Sequence, residues 1–355
     1  MSAPSGPDIG AVRGEDRFDV AAVDAWLRSV APELELEGLP DVQQFSKGAS
    51  NLTYLLRYPS QELILRRPPA GAKIKSAHDM AREFRVQNVL QSSFPTVPRM
   101  IGLCTDESVI GNEFYVMERV QGTILRSRIP AELALDAAAV RALCESFLDN
   151  LVDLHRVDTT QPGVAELGKG EGYVGRQVAG WSKRYRAAQT WNVPNFERVM
   201  AWLDAEQPAD TDVCVIHNDY RLDNVVLAPE DPTRIVGVLD WEMATLGDPL
   251  MDLGGALAYW VEAGDGPMMK WLRRQPSDAP GMLTREEVVA YYAQRSGRSV
   301  ANWRFYEVFG LFRLAVIIQQ IYRRYHHKQT TNPAFRQYWI AVQYLHWRCR
   351  RLMRG

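Results

Sequence analysis

The chain has 355 residues, of which 46% are hydrophobic, and its formal net charge is −2. A chain of this length can bury a sizeable core, and we expect two lobes or domains rather than one. A sequence pI of ≈ 6.3 and the lack of a recognisable nucleic-acid motif argue against nucleic-acid binding. The apolar runs fall short of a membrane-spanning helix, so we expect no membrane partner.

The N-terminus, MSAPSGPDIGAVRGEDRFD, is polar, rich in Gly and Pro, and unlike a signal peptide. It predicts a disordered arm over residues 1–19. Four scattered cysteines show neither a CxxC pair nor a metal-binding spacing: Cys104, Cys144, Cys214 and Cys349. Buried free thiols in a reducing compartment explain this usage, and we expect a cytoplasmic protein.

Charge is unevenly distributed along the chain. Residues 308–355 hold nine Lys or Arg and no Asp or Glu, which leaves 32 basic and all 43 acidic residues, a charge of −11, in the first 307. This asymmetry indicates that the C-terminal segment faces an anion. The alternative is a solvated tail that offsets an acidic body.

The first predicted elements are strands. NLTYLLRY and ELILR are strand-like and predict a β-hairpin over residues 45–66. After the connector RPPAGAKIK, a helix is predicted with Ser76 as its N-cap and Asp79 at position N3. EFYVMERV at 113–120 predicts a further strand, which ends at the turn QG.

Helices dominate the rest of the chain. Apolar residues recur at spacings of three and four from Val140 to Leu154, which predicts a long amphipathic helix ending near His155. Three strand-like segments follow, at 213–216, 225–228 and 235–239. After about Leu250 the pattern is again helical. The order predicts an α+β architecture, with a small antiparallel β lobe that carries one helix and a larger, mainly helical lobe.

VIHNDYRLDNVVL at 215–227 places polar side chains on a turn between two buried strands, where unpaired polar groups are costly. Asp219 can orient a hydroxyl and take its proton. Asn224, five residues later, and Asp240, sixteen further on, can offer hard oxygen ligands to one Mg²⁺ ion. These are the parts that phosphoryl transfer needs. A turn merely capped by Asp and Asn is the structural alternative.

These motifs have a familiar order. HNDYRLDN matches the H-x-D-x-x-x-x-N catalytic loop of the aminoglycoside phosphotransferase and choline kinase family, and LDWEMATLGDPLMDLGG resembles the family's metal-binding segment. FSKGASNLTYLLRY is similar to its phosphate-covering loop, LILRRPP to its third strand, AREFRVQ to its glutamate-bearing helix and FYVMERVQG to its hinge. The resemblance spans roughly residues 40–260. It is strongest to the kinase-like domains associated with acyl-CoA dehydrogenases.

The resemblance implies a bilobal, protein-kinase-like fold. Residues 20–120 would form a nucleotide-binding lobe, and residues 121–355 a catalytic and acceptor-binding lobe. Asp219 would be the catalytic base, with Asn224 and Asp240 as ligands of Mg²⁺. The phosphoryl donor would be ATP, with GTP as the alternative.

The same resemblance implies the residues that contact the nucleotide. The phosphates would lie under Ser46, Lys47, Gly48, Ala49, Ser50 and Asn51. Backbone groups of Glu118 and Val120 would hold the base. Arg66, in place of the family's lysine, would pair with Glu83, although strand parity alone leaves Arg67 as a rival.

Other motif residues receive supporting roles. His217 would brace the catalytic loop, and Asp248 and Asp252 would tie the metal loop to the following helix. Glu242 is an additional metal candidate or a residue that supports the ligands.

The acceptor is a separate question, because the fold does not define it. Polycationic aminoglycosides call for acidic residues, whereas residues 308–355 contain none, which favours an anionic or neutral acceptor. The resemblance to the kinase-like domains associated with acyl-CoA dehydrogenases implies a hydroxyacyl-CoA. Arg323, Arg324 and Lys328 would bind its anionic part. The alternatives are an antibiotic phosphotransferase and a catalytically silent nucleotide-binding module.

Overall fold

The computed structural model describes residues 9–46, 51–69 and 79–355. By its contacts the chain divides into two compact units. The first comprises the described residues up to Gln121 together with Gly237–Glu242, and the second comprises Gly122–Val236 and Met243–Gly355.

The described residues form ten strands and ten α-helices. The strands are β1 (Ile9–Ala11), β2 (Asp41–Phe45), β3 (Leu52–Arg57), β4 (Glu62–Arg67), β5 (Met100–Cys104), β6 (Phe114–Glu118), β7 (Cys214–Ile216), β8 (Val225–Leu227), β9 (Ile235–Val238) and β10 (Thr245–Gly247). The helices are α1 (Val20–Val30), α2 (Met80–Leu90), α3 (Ala137–Leu154), α4 (Tyr173–Ala188), α5 (Glu197–Ala205), α6 (Pro249–Ala258), α7 (Pro267–Leu272), α8 (Arg285–Ser296), α9 (Trp303–His326) and α10 (Tyr338–Leu352).

An antiparallel sheet in the order β1-β2-β3-β4-β6-β5 forms the first unit. Alternate side chains of its strands enter two apolar clusters on opposite faces. Leu63 and Leu65 of β4 pack with Val23 of α1, whereas Ile64 packs with Met80 of α2. The predicted hairpin is confirmed as β3 and β4, closed by a hydrogen bond from the Tyr58 N–H to the Gln61 carbonyl at 2.9 Å.

Two expectations for the first unit need correction. Residues 9–11, predicted as part of a disordered arm, form β1, where Ile9 pairs with Phe45. Asp79 is the N-cap of α2 and not its N3 residue, because its side chain accepts a hydrogen bond from the Arg82 N–H. The predicted N-cap, Ser76, lies outside the described residues, as do residues 1–8 of the predicted arm.

The second unit is mainly helical, as predicted, and α3 ends at Leu154 with His155 as its C-cap. Helices α6 and α9 pack with their backbones in close approach. A side chain at Gly310 would place Cβ 2.2 Å from the Gly254 carbonyl oxygen. Glycine is therefore required where these two helices touch.

One helix differs from the expectation about membrane length. Among the described residues, α9 alone is long and apolar enough to cross a membrane, but 78% of its most apolar window is buried inside the protein. Buried core helices of globular proteins pass the same test of length and composition.

Two short ladders frame the motif stretch: β7 pairs with β10 in antiparallel orientation, and β8 pairs with β9. The three strand-like segments predicted from the sequence are thus present, each one residue shorter than expected. The residues between β7 and β8, 217–224, form a loop that carries the motif side chains, and we call it the 217–224 loop.

Candidate functional site

The 217–224 loop contains an unusual backbone conformation. Asn218 has a φ of 65°, in the left-handed region that residues other than glycine rarely adopt. Such a residue costs about 1–3 kcal/mol and persists only where its surroundings hold it. Because Asn218 directly precedes Asp219, this turn determines the direction in which Asp219 leaves the loop.

Asp252 on α6 holds the start of the loop. Its Oδ2 accepts a hydrogen bond from the His217 backbone N–H and its Oδ1 one from the Asn218 N–H, each at 2.7 Å. Burial opposes the ionisation of Asp252. The hydrogen bond and charge of His155 and the interactions with His217 outweigh this effect, so its pKa is lowered. Asp248, at the start of α6, caps that helix by accepting from the Leu250 N–H at 2.8 Å.

Three further groups hold Asn218. Its carbonyl accepts from Arg313 Nη2 at 2.6 Å, and its Oδ1 accepts from the Tyr173 hydroxyl at 2.9 Å. Its Nδ2 donates to the Met243 carbonyl at 3.0 Å. With Asp252, every polar group of this residue is engaged, which explains how the left-handed turn is maintained.

The rest of the loop is anchored to the helical core. The Tyr220 side chain is fully buried, and its hydroxyl donates to the Phe147 carbonyl at 2.9 Å. The Leu222 N–H donates to Gln275 Oε1 at 2.8 Å. His217 is also buried, and its Nδ1 accepts from the Asp219 N–H at 3.2 Å, which fits the expected bracing role.

The Asp219 carboxylate lies between two loop partners. Its Oδ2 accepts from Asn224 Nδ2 at 3.1 Å and lies 3.2 Å from Arg221 Nη2. Asn224 Nδ2 also donates to the Asp219 carbonyl at 2.9 Å. Since the amide N–H groups of Asn224 face Asp219, its carbonyl oxygen points away and is a hard donor of the kind that Mg²⁺ prefers.

In the first unit, Arg66 and Glu83 form the expected pair, with Arg66 Nη1 hydrogen-bonded to Glu83 Oε1. Glu83 is 2% exposed. Burial opposes the charge of Arg66, but Glu83, Tyr115 and Asp240 more than offset this and raise its pKa. Burial also opposes the charge of Glu83 and raises the pKa of this carboxyl group, and the charge of Arg66 limits that rise.

The structure also shows which of the two neighbouring arginines, Arg66 or Arg67, contacts Glu83. Arg67 faces the opposite side of β4, where Nη2 donates to the Asp16 carbonyl at 2.7 Å and to the Tyr54 hydroxyl at 2.9 Å. Its guanidinium also stacks on Phe18 and Tyr54, 5.5 and 5.4 Å from the ring centroids. Arg67 therefore holds the N-terminal segment on the sheet, and Arg66 is the one that meets Glu83.

Asp240 is the second left-handed residue of the motif region, with a φ of 69°. Its Oδ1 lies 3.7 Å from Arg66 Nη2, and its side chain is 36% exposed. The neighbouring Trp241 is fully buried and donates from Nε1 to the Val238 carbonyl at 2.8 Å. Asp240 is thus a carboxylate on a tightly held turn, beside the Arg66–Glu83 pair.

The remaining predicted nucleotide contacts are only partly described. Lys47, Gly48, Ala49 and Ser50 lie outside the described residues. Of their neighbours, Asn51 donates from Nδ2 to Glu83 Oε2 at 3.5 Å. Glu118 is exposed at the end of β6, and Val120 packs against Gly237.

The C-terminal cations lie elsewhere in the second unit. Arg323 and Arg324 are in the last turn of α9, and Lys328 follows this helix. Arg324 and Lys328 are exposed, and Arg323 is half-buried. Nothing in the described contacts links these three residues to the 217–224 loop.

Within the described ranges there is no group of three or more His, Cys, Asp or Glu side chains that could hold a metal. Mg²⁺ in phosphoryl-transfer sites is characteristically held by one or two protein ligands together with substrate phosphates. Asn224 in the second unit and Asp240 in the first unit each carry an oxygen donor of the kind that Mg²⁺ takes, whereas structural zinc is typically held by Cys and His.

A small β-rich unit followed by a helical unit that carries the H-x-D-x-x-x-x-N loop defines a kinase-like phosphotransferase fold. Comparison with known proteins agrees. The sequence profile of the Phosphotransferase enzyme family (APH) matches residues 41–308. The chain belongs to this family, and the predicted α+β, protein-kinase-like fold class is confirmed.

Three similar proteins are informative. Acyl-CoA dehydrogenase family member 10 of Mus musculus is 36% identical over 289 residues, which cover 81% of this chain but only 27% of that protein. A crystal structure from Ralstonia eutropha JMP134, provisionally named an aminoglycoside phosphotransferase, has 31% identity and a TM-score of 0.80, and the match covers 95% of this chain and 99% of that one. An aminoglycoside phosphotransferase in ternary complex with streptomycin and ATP has 13% identity and a TM-score of 0.56, with 85% and 90% covered, and shows the fold alone.

Sequence reasoning did not single out two residues of the 217–224 loop environment. Asn218 lies inside the quoted motif, but a left-handed φ leaves no sequence signal at an asparagine beyond a modest preference. Arg313 lies within the apolar run LFRLAVII, and a charge inside a buried helix is itself a signal.

Proposed function

We propose that this protein is a Mg²⁺-dependent kinase that transfers the γ-phosphoryl group of ATP to a hydroxyl of a small acceptor. The observation that carries the proposal is the geometry of Asp219. Its carboxylate is partly exposed, fixed by Asn224 and Arg221, and placed on a loop whose strained turn is held by four partners.

In this function, Asp219 accepts the proton of the acceptor hydroxyl while the hydroxyl oxygen attacks the γ-phosphorus. The bond from the γ-phosphorus to the bridging oxygen breaks, and ADP leaves with the electron pair. Asn224 and Asp240 would ligate Mg²⁺ through their oxygens, and the ion would neutralise phosphate charge. General-base assistance of this kind contributes about 10²–10⁴-fold to the rate.

The first unit would bind the nucleotide. Arg66 supplies a permanent charge and a planar fork suited to phosphate oxygens, and Glu83 fixes its orientation. Residues 46–51 would cover the phosphates, and backbone groups near Glu118 and Val120 would hold the base. GTP is the alternative donor.

For the acceptor, the curated relative suggests a hydroxyacyl-CoA. That relative is named an acyl-CoA dehydrogenase family member, and this chain spans about a quarter of it, so an acceptor that carries CoA agrees with the name. In such an acceptor Arg323, Arg324 and Lys328 would meet the phosphates of the CoA part. A cytoplasmic location and a lack of membrane or nucleic-acid partners remain predictions.

A turnover screen tests the proposal. Purified protein is given ATP or GTP with and without Mg²⁺, and ADP or GDP release is measured against hydroxy acids, a 4-hydroxyacyl-CoA, simple alcohols and aminoglycosides. We expect acceptor-dependent, Mg²⁺-dependent release with at least one non-cationic acceptor. Turnover with aminoglycosides alone would support the antibiotic-modifying alternative, and nucleotide binding without turnover for any acceptor would support the silent module.

A variant separates the metal assignment from the rest. Asp240→Ala should lose both turnover and Mg²⁺-dependent nucleotide binding, whereas Asp219→Ala should lose turnover and retain binding. Normal Mg²⁺-dependent activity in Asp240→Ala would contradict the assignment of Asp240 to the metal.

A further inference from the structure

Arg313 is a buried cation next to the proposed base. It lies within α9, is 8% exposed, and donates from Nη2 to the carbonyl of Asn218, the residue that precedes Asp219. Burying a guanidinium is costly unless it is paired, so its partners need to be identified.

Those partners are few. Across the described ranges, no Asp or Glu oxygen lies within 4.0 Å of an Arg313 nitrogen, and its one hydrogen bond to protein is the bond to Asn218. Its guanidinium also lies 5.4 Å from the Trp181 ring centroid. A guanidinium has five N–H donors, so most of its capacity for hydrogen bonding is not met by the described protein groups.

Arg67 shows what a structural buried arginine looks like in the same chain. It is 4% exposed, and two aromatic rings and three hydrogen bonds to the Tyr54 hydroxyl and the Asp16 carbonyl surround it. Arg313 lacks such an enclosure. Beyond holding Asn218, Arg313 thus keeps N–H donors for which the described protein groups provide no acceptor.

Residues of α6 and the residue that follows it lie close to the Arg313 guanidinium and the proposed base. On α6, a Cβ at Gly255 would lie 2.7 Å from Arg313 Nη1, so any larger residue there would require the guanidinium to shift. The Arg221 guanidinium stacks on the ring of Tyr259, the residue after α6, at 4.8 Å from the ring centroid. Burial raises the pKa of Tyr259, Asp219 adds to that rise, and Arg221 and Arg313 oppose it. Arg221 thus contacts both the Tyr259 ring and, at 3.2 Å, the Asp219 carboxylate. Arg313 is hydrogen-bonded to the residue that precedes Asp219.

We propose that Arg313, supported by Arg221, binds an oxyanion of the acceptor close to the hydroxyl that Asp219 would deprotonate. The acceptor class is then a hydroxy acid or a phosphorylated alcohol, since a planar fork pairs bidentately with a carboxylate or a phosphate. A hydroxyacyl-CoA is the competing acceptor, because its uncharged thioester would offer Arg313 no oxyanion beside the hydroxyl. The inference rests on the proposed kinase function and names the substrate class of that same site. The oxyanion binds and orients the acceptor and takes no part in the bond changes.

The C-terminal cations do not fill this role. Arg323 and Arg324 follow Arg313 by ten and eleven residues on α9, which is about 15–17 Å at the helical rise. They can meet a distant part of a long acceptor, but not a group beside the reacting hydroxyl.

Matched acceptor pairs test the proposal. With ATP and Mg²⁺, kcat/KM is measured for 4-hydroxybutanoate against 4-hydroxybutanamide and for glycerol 3-phosphate against glycerol. The first pair reports a carboxylate and the second a phosphate. Each is assayed with wild type, Arg313→Gln, Arg313→Lys and the control Arg304→Gln, an exposed arginine of the same helix.

Wild type should prefer the anionic member of at least one pair by tenfold or more. Arg313→Gln should lower kcat/KM for that member by about 10–100-fold, mainly through KM, because a charge-assisted hydrogen bond is lost. Arg313→Lys should recover part of this preference, and Arg304→Gln should retain all of it. The substitution also removes the hydrogen bond to Asn218, and this loss would lower kcat for both members of a pair alike. The ratio of the two kcat/KM values within a pair therefore reports the binding of the oxyanion alone.

Two results would overturn the proposal: a wild type that prefers the anionic member of neither pair, or equal losses for both members in Arg313→Gln. If no acceptor is turned over at all, the kinase function fails separately. Calorimetric titration of 4-hydroxybutanoate and glycerol 3-phosphate into wild type and Arg313→Gln then still decides the matter, since binding unaffected by the substitution, or absent in wild type, would refute the Arg313 site.

Discussion

Replacing Asp252 by asparagine probes how the 217–224 loop is held. The aspartate is 1% exposed, and each carboxylate oxygen accepts a backbone N–H at 2.7 Å, from His217 and from Asn218. Asparagine keeps the shape but supplies one acceptor oxygen and one NH₂ group. One backbone N–H would therefore face another donor.

The magnitude follows from these contacts. A hydrogen bond to a charged group contributes about 1.5–3 kcal/mol, and a buried donor left without an acceptor costs about 1–3 kcal/mol. We expect Asp252→Asn to lower the free energy of unfolding by about 3 kcal/mol. Turnover should fall as well, since the strained turn at Asn218 would lose one of its holders.

Urea-induced unfolding, followed by tryptophan fluorescence, measures the effect, with exposed Asp204→Asn as the matched control. The pKa of Asp252 is lowered in the fold, so its contribution is present above the ordinary value of 3.8 and is lost as the pH falls through the folded pKa. Stability should thus depend less on pH below about 4 in Asp252→Asn than in wild type. An unfolding free energy within about 0.5 kcal/mol of the control would refute the reasoning.

Three further predictions concern packing and charge. Glu83→Gln removes the nearer of the two carboxylates beside Arg66 while Asp240 remains at 3.7 Å, and it should cost about 1–3 kcal/mol in urea unfolding; an unchanged midpoint would show that the pair is not a stabilising contact. Gly310→Ala should destabilise by at least about 1–3 kcal/mol, because its Cβ would lie 2.2 Å from the Gly254 carbonyl oxygen, and a melting temperature equal to that of wild type would disprove this close approach. All four cysteines are buried, and burial raises the pKa of each thiol. Ellman's reagent should therefore detect four thiols only after unfolding, and rapid labelling of the native protein would contradict the burial.

Much of the site could be located from sequence because its chemistry is local. An Asp and an Asn five apart between two apolar strands define a loop whatever surrounds it, and the structure does place Asp219 against Asn224. The choice between Arg66 and Arg67 needed a different kind of information. The alternation of side chains along a strand predicts only that the two arginines face opposite sides of the sheet. The position of α2 determines which side contacts Glu83.

Other features depend on contacts between segments distant in the sequence. Arg313 lies 95 residues from Asn218 along the chain, so no motif could relate the two. The strand Ile9–Ala11 looked disordered because its composition is that of a linker, and pairing with β2 overrides that local preference. Residues 237–242 belong to the first unit although they follow most of the second unit's strands in sequence. The hydrophobic periodicity of the sequence does not indicate this.

The central claim is that Asp219 is the base of a phosphoryl transfer. ³¹P NMR of ATP, Mg²⁺ and an acceptor from the turnover screen, with wild type and Asp219→Asn, tests it most directly. The account predicts that wild type forms ADP and a phosphorylated acceptor, and that Asp219→Asn is slower by about 10²–10⁴-fold while its urea midpoint and nucleotide binding are retained. Transfer at the wild-type rate by Asp219→Asn would contradict it.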